Sequence, residues 1–296
     1  MNRNLESNNI VWAVKSPPLI SSKDNIWPEA DWFRDWEVKA FGSESSNPNQ
    51  KLGLYFEKTL HDWIEQEPKL ALLARNLVVR SNARTLGEFD LIVRNENLIE
   101  HWEIAVKFFL GIGDRTNIGH WIGPNPRDTL ERKLDSLENR QIRLGDNPDA
   151  KRILEQKDIK IDSRRIIFKG RLFHPYKMFK MSRFEFPKDI NLSHEKGWWL
   201  RWEELDSHKE LKNSSFKLLE KREWLAQLKN IDTEEMIRFD ELKDRCASMF
   251  TGHVAIINGK KNELSRGFVV SKDWEAQASS ICPEIVADAA YDKDPG

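Results

Sequence analysis

The chain has 296 residues, a formal net charge of -1, 32% charged and 39% apolar side chains, a length and balance suited to a soluble protein with a large core. Near-neutral charge excludes a global attraction to nucleic acid or membrane, so a polyanion site has to be a local patch. The only cysteines, Cys246 and Cys282, show no paired spacing, which excludes a disulfide framework or zinc module and fits a reducing, cytoplasmic setting; the absence of a long apolar run or apolar leader predicts neither membrane spanning nor secretion.

Residues 1–49 read as an N-terminal extension, with a loop-like start, a short helix near 28–36 opened by Pro28, and a Ser-, Asn- and Pro-rich connector over 42–49. From Gln50 the spacing of Gly53, Phe56, Leu60, Trp63 and Ile64 predicts a helix, and Glu57 falls in line with Leu60 and Ile64, pointing inward. Strand-like segments at 72–80, 87–94 and 99–110 predict an antiparallel meander, with Asn95-Glu96-Asn97 as the second turn. The Gly- and Pro-rich stretch 111–126, carrying Arg115, His120 and Trp121, reads as a mobile lid. Leu130, Leu134, Leu137, Gln141 and Leu144 share one helical face over 127–144, with Gln141 its polar interruption, and a further strand starts at Arg164.

Residues 50–175 thus form an α/β core of helix, three-strand meander, helix and strand, and 176–296 a mixed α+β C-terminal lobe. In that lobe 198–202 reads as extended, 216–228 and 234–245 as helical, and 253–257 with 267–270 as a hairpin. The twelve tryptophans follow no repeat period and read as packing residues.

The chemistry concentrates in Gly87-Glu88-Phe89-Asp90-Leu91-Ile92 and His101-Trp102-Glu103-Ile104-Ala105-Val106-Lys107. Acids and a lysine inside apolar strands need partners or a metal, because an isolated buried charge is costly. Alternation puts Glu88 and Asp90 on one strand face, and His101, Glu103, Ala105 and Lys107 on one face of the next.

The element order and these acids resemble the PD-(D/E)XK nuclease superfamily over about 50–173, and the run at 87–92 is similar to the strand of its resolvase-like bacterial members. More narrowly, the run ending in Leu54-Tyr55-Phe56-Glu57, the strand Trp102 to Phe108, the turn Gly170-Arg171-Leu172-Phe173-His174-Pro175 and Arg266 to Val270 resemble an uncharacterised bacterial family, a domain of unknown function grouped with that superfamily. The resemblance implies a PD-(D/E)XK-like core that hydrolyses DNA or RNA phosphodiesters with Mg²⁺ or Mn²⁺. Asp90 and Glu103 become the first metal ligands, Glu57 a ligand for a second ion or water, Glu88 a reserve ligand, and Lys107 the cation that stabilises developing phosphoryl charge. One departure stands out: the superfamily's acid two residues before the lysine would sit at 105, where this chain has Ala105, and Glu103 lies about 6.6 Å further along the strand.

Gln141 is the candidate substrate contact on the helix that follows. Arg164, Arg165, Lys169 and Arg171 open a stretch of seven cations without an acid, interleaved with Phe168, Phe173 and Tyr176, a pattern that suits phosphates and stacked bases. The alternative is a non-catalytic nucleic-acid-binding or protein-interaction protein, in which the carboxylates survive as a folding network.

Overall fold

Apolar residues alternating with polar ones over 70–111 produce three long strands. In the computed structural model, which describes residues 3–38, 50–82 and 84–282, β1 (Leu70–Ser81), β2 (Arg84–Asn95) and β3 (Leu98–Gly111) pair antiparallel in sequence order, so the expected meander is present. The remaining strands are β4 (Trp121–Ile122), β5 (Ser163–Pro175), β6 (Glu195–Arg201), β7 (Ser215–Leu218), β8 (Thr251–Ile257) and β9 (Glu263–Val270). The nine form a mixed sheet in the order β1-β2-β3-β5-β6-β9-β8-β7, with β4 on β3, in an α/β chain. The connector read at 42–49 lies outside the described residues.

The chain divides into two compact units. The first comprises Met1–Lys107, Arg132–Gly170 and Asp189–His194; the second Phe108–Glu131, Arg171–Lys188 and Glu195–Gly296. Among the described residues no helix is long and apolar enough to cross a membrane.

In the first unit α1 (Arg3–Lys15), α2 (Ala30–Arg34), α3 (Leu52–Ile64) and α5 (Pro148–Gln156) accompany β1 to β3. The helix α1 replaces the expected loop-like start. Its first turns are polar, which hid it from periodicity, but Ile10, Ala13 and Val14 are buried and Asn9 Nδ2 donates to Tyr55 Oη of α3 at 2.8 Å. The start of α5 was legible: Asn147 caps Asp149 N at 2.8 Å and Pro148 opens the helix. Val79, Phe89 and Ile92 pack with Leu144, Ala150 and Leu154 into a single apolar cluster.

The helix expected over 127–144 is instead α4 (Leu130–Ser136) followed by one π turn over Leu137–Gln141. The extra residue in that turn rotates Gln141 away from the face that 3.6-residue spacing assigned to it.

In the second unit β6 lies parallel to both β5 and β9, β8 and β9 form the expected hairpin, and β7 pairs antiparallel with β8. Three helices, α6 (Tyr176–Lys180), α7 (Phe239–Ala247) and α8 (Lys272–Ile281), complete the unit. Trp198 is fully buried among Leu205, Phe216, Leu242 and Val254, which bears out packing as the role of the late tryptophans. The helix expected over 216–228 is β7 and a short 3-10 turn. Arg266 takes the carbonyls of Glu223, Trp224 and Ala226 at 3.2, 2.7 and 2.7 Å, acceptors that a helix would need for itself. The stretch 111–126 is no lid either. Gly123 N donates to Asp128 O at 2.7 Å, Trp121 Nε1 to Arg115 O at 3.0 Å, and His120, Trp121 and Ile122 are buried.

Candidate active site

Four acids on three elements of the first unit meet on one face. The β2–β3 register runs from Asn95↔Leu98 to Leu91↔Trp102, and one further step sets Asp90 opposite Glu103. There the main-chain ladder gives way to side chains: Asp90 Oδ2 accepts from Ile104 N at 2.9 Å, and the two carboxyls share a hydrogen bond. One step beyond, the same register sets exposed Glu88 opposite Ala105, so the adjacent strand presents an acid where β3 has alanine. Glu57 arrives from α3, its carboxylate hydrogen-bonded by the Asn76 side chain and close enough to Asp90 and Glu88 to feel both charges.

This crowding sets the electrostatics. Burial, followed by the neighbouring Glu103 charge, raises the Asp90 pKa to about 7. Burial raises Glu103 to about 7 against the opposing pull of the Asp90 hydrogen bond and of Lys133, and Glu57 rises to about 7 through burial and the Asp90 and Glu88 charges. Near neutrality the cluster therefore holds shared protons.

Glu103 is completely buried and held from two sides. His101 Nε2 lies 2.8 Å from Oε1, and Gln141 Nε2 donates to Oε2 at 2.9 Å. Burial lowers the His101 pKa to about 4, so its imidazole is neutral near pH 7, and its Nδ1 has no hydrogen-bond partner among the described residues. The Gln141 amide oxygen accepts from Lys133 Nζ and Ser136 Oγ, each at 3.1 Å. Gln141 is thus a brace for Glu103, tying it to α4.

Lys133 was not legible as a site residue, yet it is the strongest cationic influence on both Asp90 and Glu103. The signal that could have found it is its place three residues after Leu130 and eight before Gln141, on a helix already read as facing the sheet. Lys107, the lysine expected in this role, lies half-buried on β3, two strand residues beyond Ala105. The structure therefore gathers Glu57, Glu88, Asp90, Glu103 and Gln141, and adds Lys133, His101 and Asn76.

The expected basic path is corrected. Arg164 forms a two-bond pair with Asp146 at 2.5 and 3.0 Å, and Arg165 one with buried Glu100 at 2.8 and 2.9 Å. The Lys169 ammonium is fully buried, donates to the carbonyls of Val14 and Ser16, and sits 3.5 Å from the Phe33 ring centroid. In the second unit Arg171 is buried, donates to Trp224 O at 2.7 Å and pairs with Glu195. All four cations are spent inside the fold because a buried guanidinium or ammonium requires internal acceptors. None of them is left to track a phosphate chain.

The donor set is all hard oxygen apart from a neutral imidazole already bonded to Glu103, and its excess negative charge is what a divalent cation relieves. The residues fit Mg²⁺ or Mn²⁺.

Residues 8–270 match the model of a family described as Domain of unknown function (DUF1853). No protein of curated function and no solved structure matches the chain significantly.

Proposed function

The chain belongs to the DUF1853 family, whose description assigns no activity, and from the site itself we propose a metal-dependent phosphodiesterase of PD-(D/E)XK type acting on DNA or RNA. The observation that carries this reading is the carboxyl pair of Asp90 and Glu103, set across adjacent strands with Glu57 and Glu88 beside it and all three shifted acids near pKa 7. Asp90, Glu103, Glu57 and Glu88 would hold Mg²⁺ or Mn²⁺, which supplies polarisation of the phosphoryl oxygen and a hydroxide at neutral pH.

The chain's own residues have distinct tasks. His101 and Gln141 fix the Glu103 rotamer from both oxygens, so that the acid is oriented before any ligand arrives. Lys133 balances the negative charge that gathers on a substrate phosphate held beside the acids, with Lys107 as a further cation on the β3 face. A second reading draws on a specific feature. Both oxygens of Glu103 are already hydrogen-bonded, which also suits a non-catalytic folding network.

The discriminating experiment is cleavage of labelled single-stranded, duplex and branched DNA and RNA with Mn²⁺, using wild type, Asp90→Ala and Glu103→Ala. Cleavage lost in both variants supports the phosphodiesterase. Equal background in all three leaves the folding network as the reading.

A further inference from the structure

We infer that a pocket in the first unit, at the C-terminal end of α3, binds an alkylammonium group. Its volume is about 330 Å³, within the range of small-molecule sites, and the residues that matter are Asp35, Trp36, Glu37, Trp63, Glu67 and Lys69. The inference is independent of the phosphodiesterase reading.

Three features of the pocket select a cation. Trp36 and Trp63 meet nearly at right angles, with ring centroids 5.3 Å apart and an interplanar angle of 79°. Two indoles at a corner offer π faces to one group, the arrangement that binds weakly hydrated cations best. The charge is also unbalanced: Asp35, Glu37 and Glu67 line the pocket against one lysine, and none of the three acids forms an ion pair among the described residues.

Glu67 is the telling member. Only 9% exposed, it accepts from Lys69 N at 3.2 Å and has no cation beside it, and a buried carboxylate without a counter-ion is costly. Finally, α3 runs for thirteen residues and ends at Ile64, with Glu67 N closing on Trp63 O at 3.1 Å, so the negative end of its dipole falls at the pocket. Acids, dipole and indole faces all favour positive charge. Trp36 Nε1 is buried without an acceptor among the described residues, which suits a ligand that also carries an oxygen.

A choline-like molecule and a methylated lysine side chain present the same chemistry. The test follows the Trp36 and Trp63 indole N–H resonances of the full chain during titration with choline, with its neutral isostere 3,3-dimethyl-1-butanol, and with a trimethyllysine peptide. Saturable shifts are expected, with the neutral isostere at least about tenfold weaker than choline. Glu67→Gln, which preserves shape, and Trp36→Phe should each weaken binding. Tighter choline binding identifies a small-molecule site, and tighter peptide binding a site for a modified protein tail. No saturable shift with either cation, or equal binding of the neutral isostere, overturns the inference.

Discussion

Asp90 on β2 and Glu103 on β3 stand directly opposite each other at the point where the main-chain ladder between their strands stops, and their carboxyls share a hydrogen bond. Two acids so placed cannot both ionise freely, and each resists losing its proton until about pH 7. The fold tolerates this because Ile104 N, His101 and Gln141 donate into the pair. Stability given up at one point of a sheet in this way is common at sites built for a ligand.

The first prediction concerns pH and stability. Asp90, Glu103 and Glu57 have folded pKa values raised from the usual carboxylate range to about 7, so the folded chain binds more protons than the unfolded chain between about pH 4 and 7. Their contribution is fully present below the unfolded pKa and is lost as pH rises through 7. Urea midpoints measured from pH 5 to 8 should fall more steeply for wild type than for Asp90→Asn, which can still accept from Ile104 N. Parallel slopes would remove the carboxyl pair as the cause.

A divalent cation should reverse that loss. Mn²⁺ needs the acids deprotonated, so it should raise the thermal midpoint at pH 8, have little effect at pH 5, and lose its effect on addition of EDTA. In the Asp90→Asn, Glu103→Gln double variant no shift is expected at either pH. A Mn²⁺ shift that survives the double variant would place the ion elsewhere, and His61, Asp62 and Glu65 of α3 are a second set of nearby donors to examine.

How far the sequence reaches is clearest at these same residues. Strand alternation placed Glu88, Asp90, Glu103 and Ala105 on their shared face, because period 2 survives as long as the strands pair. Glu57 was equally legible from the spacing of α3. Lys133 was not, since its role depends on a π turn that carries Gln141 onto Glu103, and one inserted residue is invisible to a 3.6-residue template. The cations at 164, 165, 169 and 171 misled for a different reason. Composition records their charge but not Asp146, Glu100, the Val14 carbonyl or Glu195, the distant partners that neutralise or bury them.

Lys133 supplies a kinetic prediction that separates it from Lys107. Its charge lowers the pKa of both Asp90 and Glu103, so Lys133→Met should raise both further. Any metal-dependent cleavage should drop about 10²-fold near pH 7, with its rising limb displaced to higher pH. Lys107→Met should lower the rate without displacing that limb as far. Equal displacement in both variants would return the role to Lys107.

Lys169 tests the reassignment of the basic stretch. Its ammonium serves the carbonyls of Val14 and Ser16 just past the last turns of α1, and removing it strands both acceptors in the interior. Lys169→Met should cost about 3 kcal/mol in urea unfolding, the scale of hydrogen bonds to a charged group. Unchanged stability, together with weaker nucleic-acid binding, would restore the expected phosphate-tracking role.

The last prediction links the backbone to the site through Gly170 on β5. Its φ of +152° lies where side chains are strained, and a Cβ built there would fall 1.8 Å from the carbonyl oxygen of Lys107 and 2.9 Å from the carbonyl carbon. No rotamer relieves a clash between backbone atoms, so Gly170→Ala must displace β3 or β5. The displaced segment of β3 carries Lys107 and, four residues earlier, Glu103, so the carboxyl pair should loosen as the strand moves. Folding stability should fall by more than about 2 kcal/mol, and the fall in urea midpoint between pH 5 and 8 should shrink in the same variant. Wild-type stability in Gly170→Ala would contradict the close approach of these two strands.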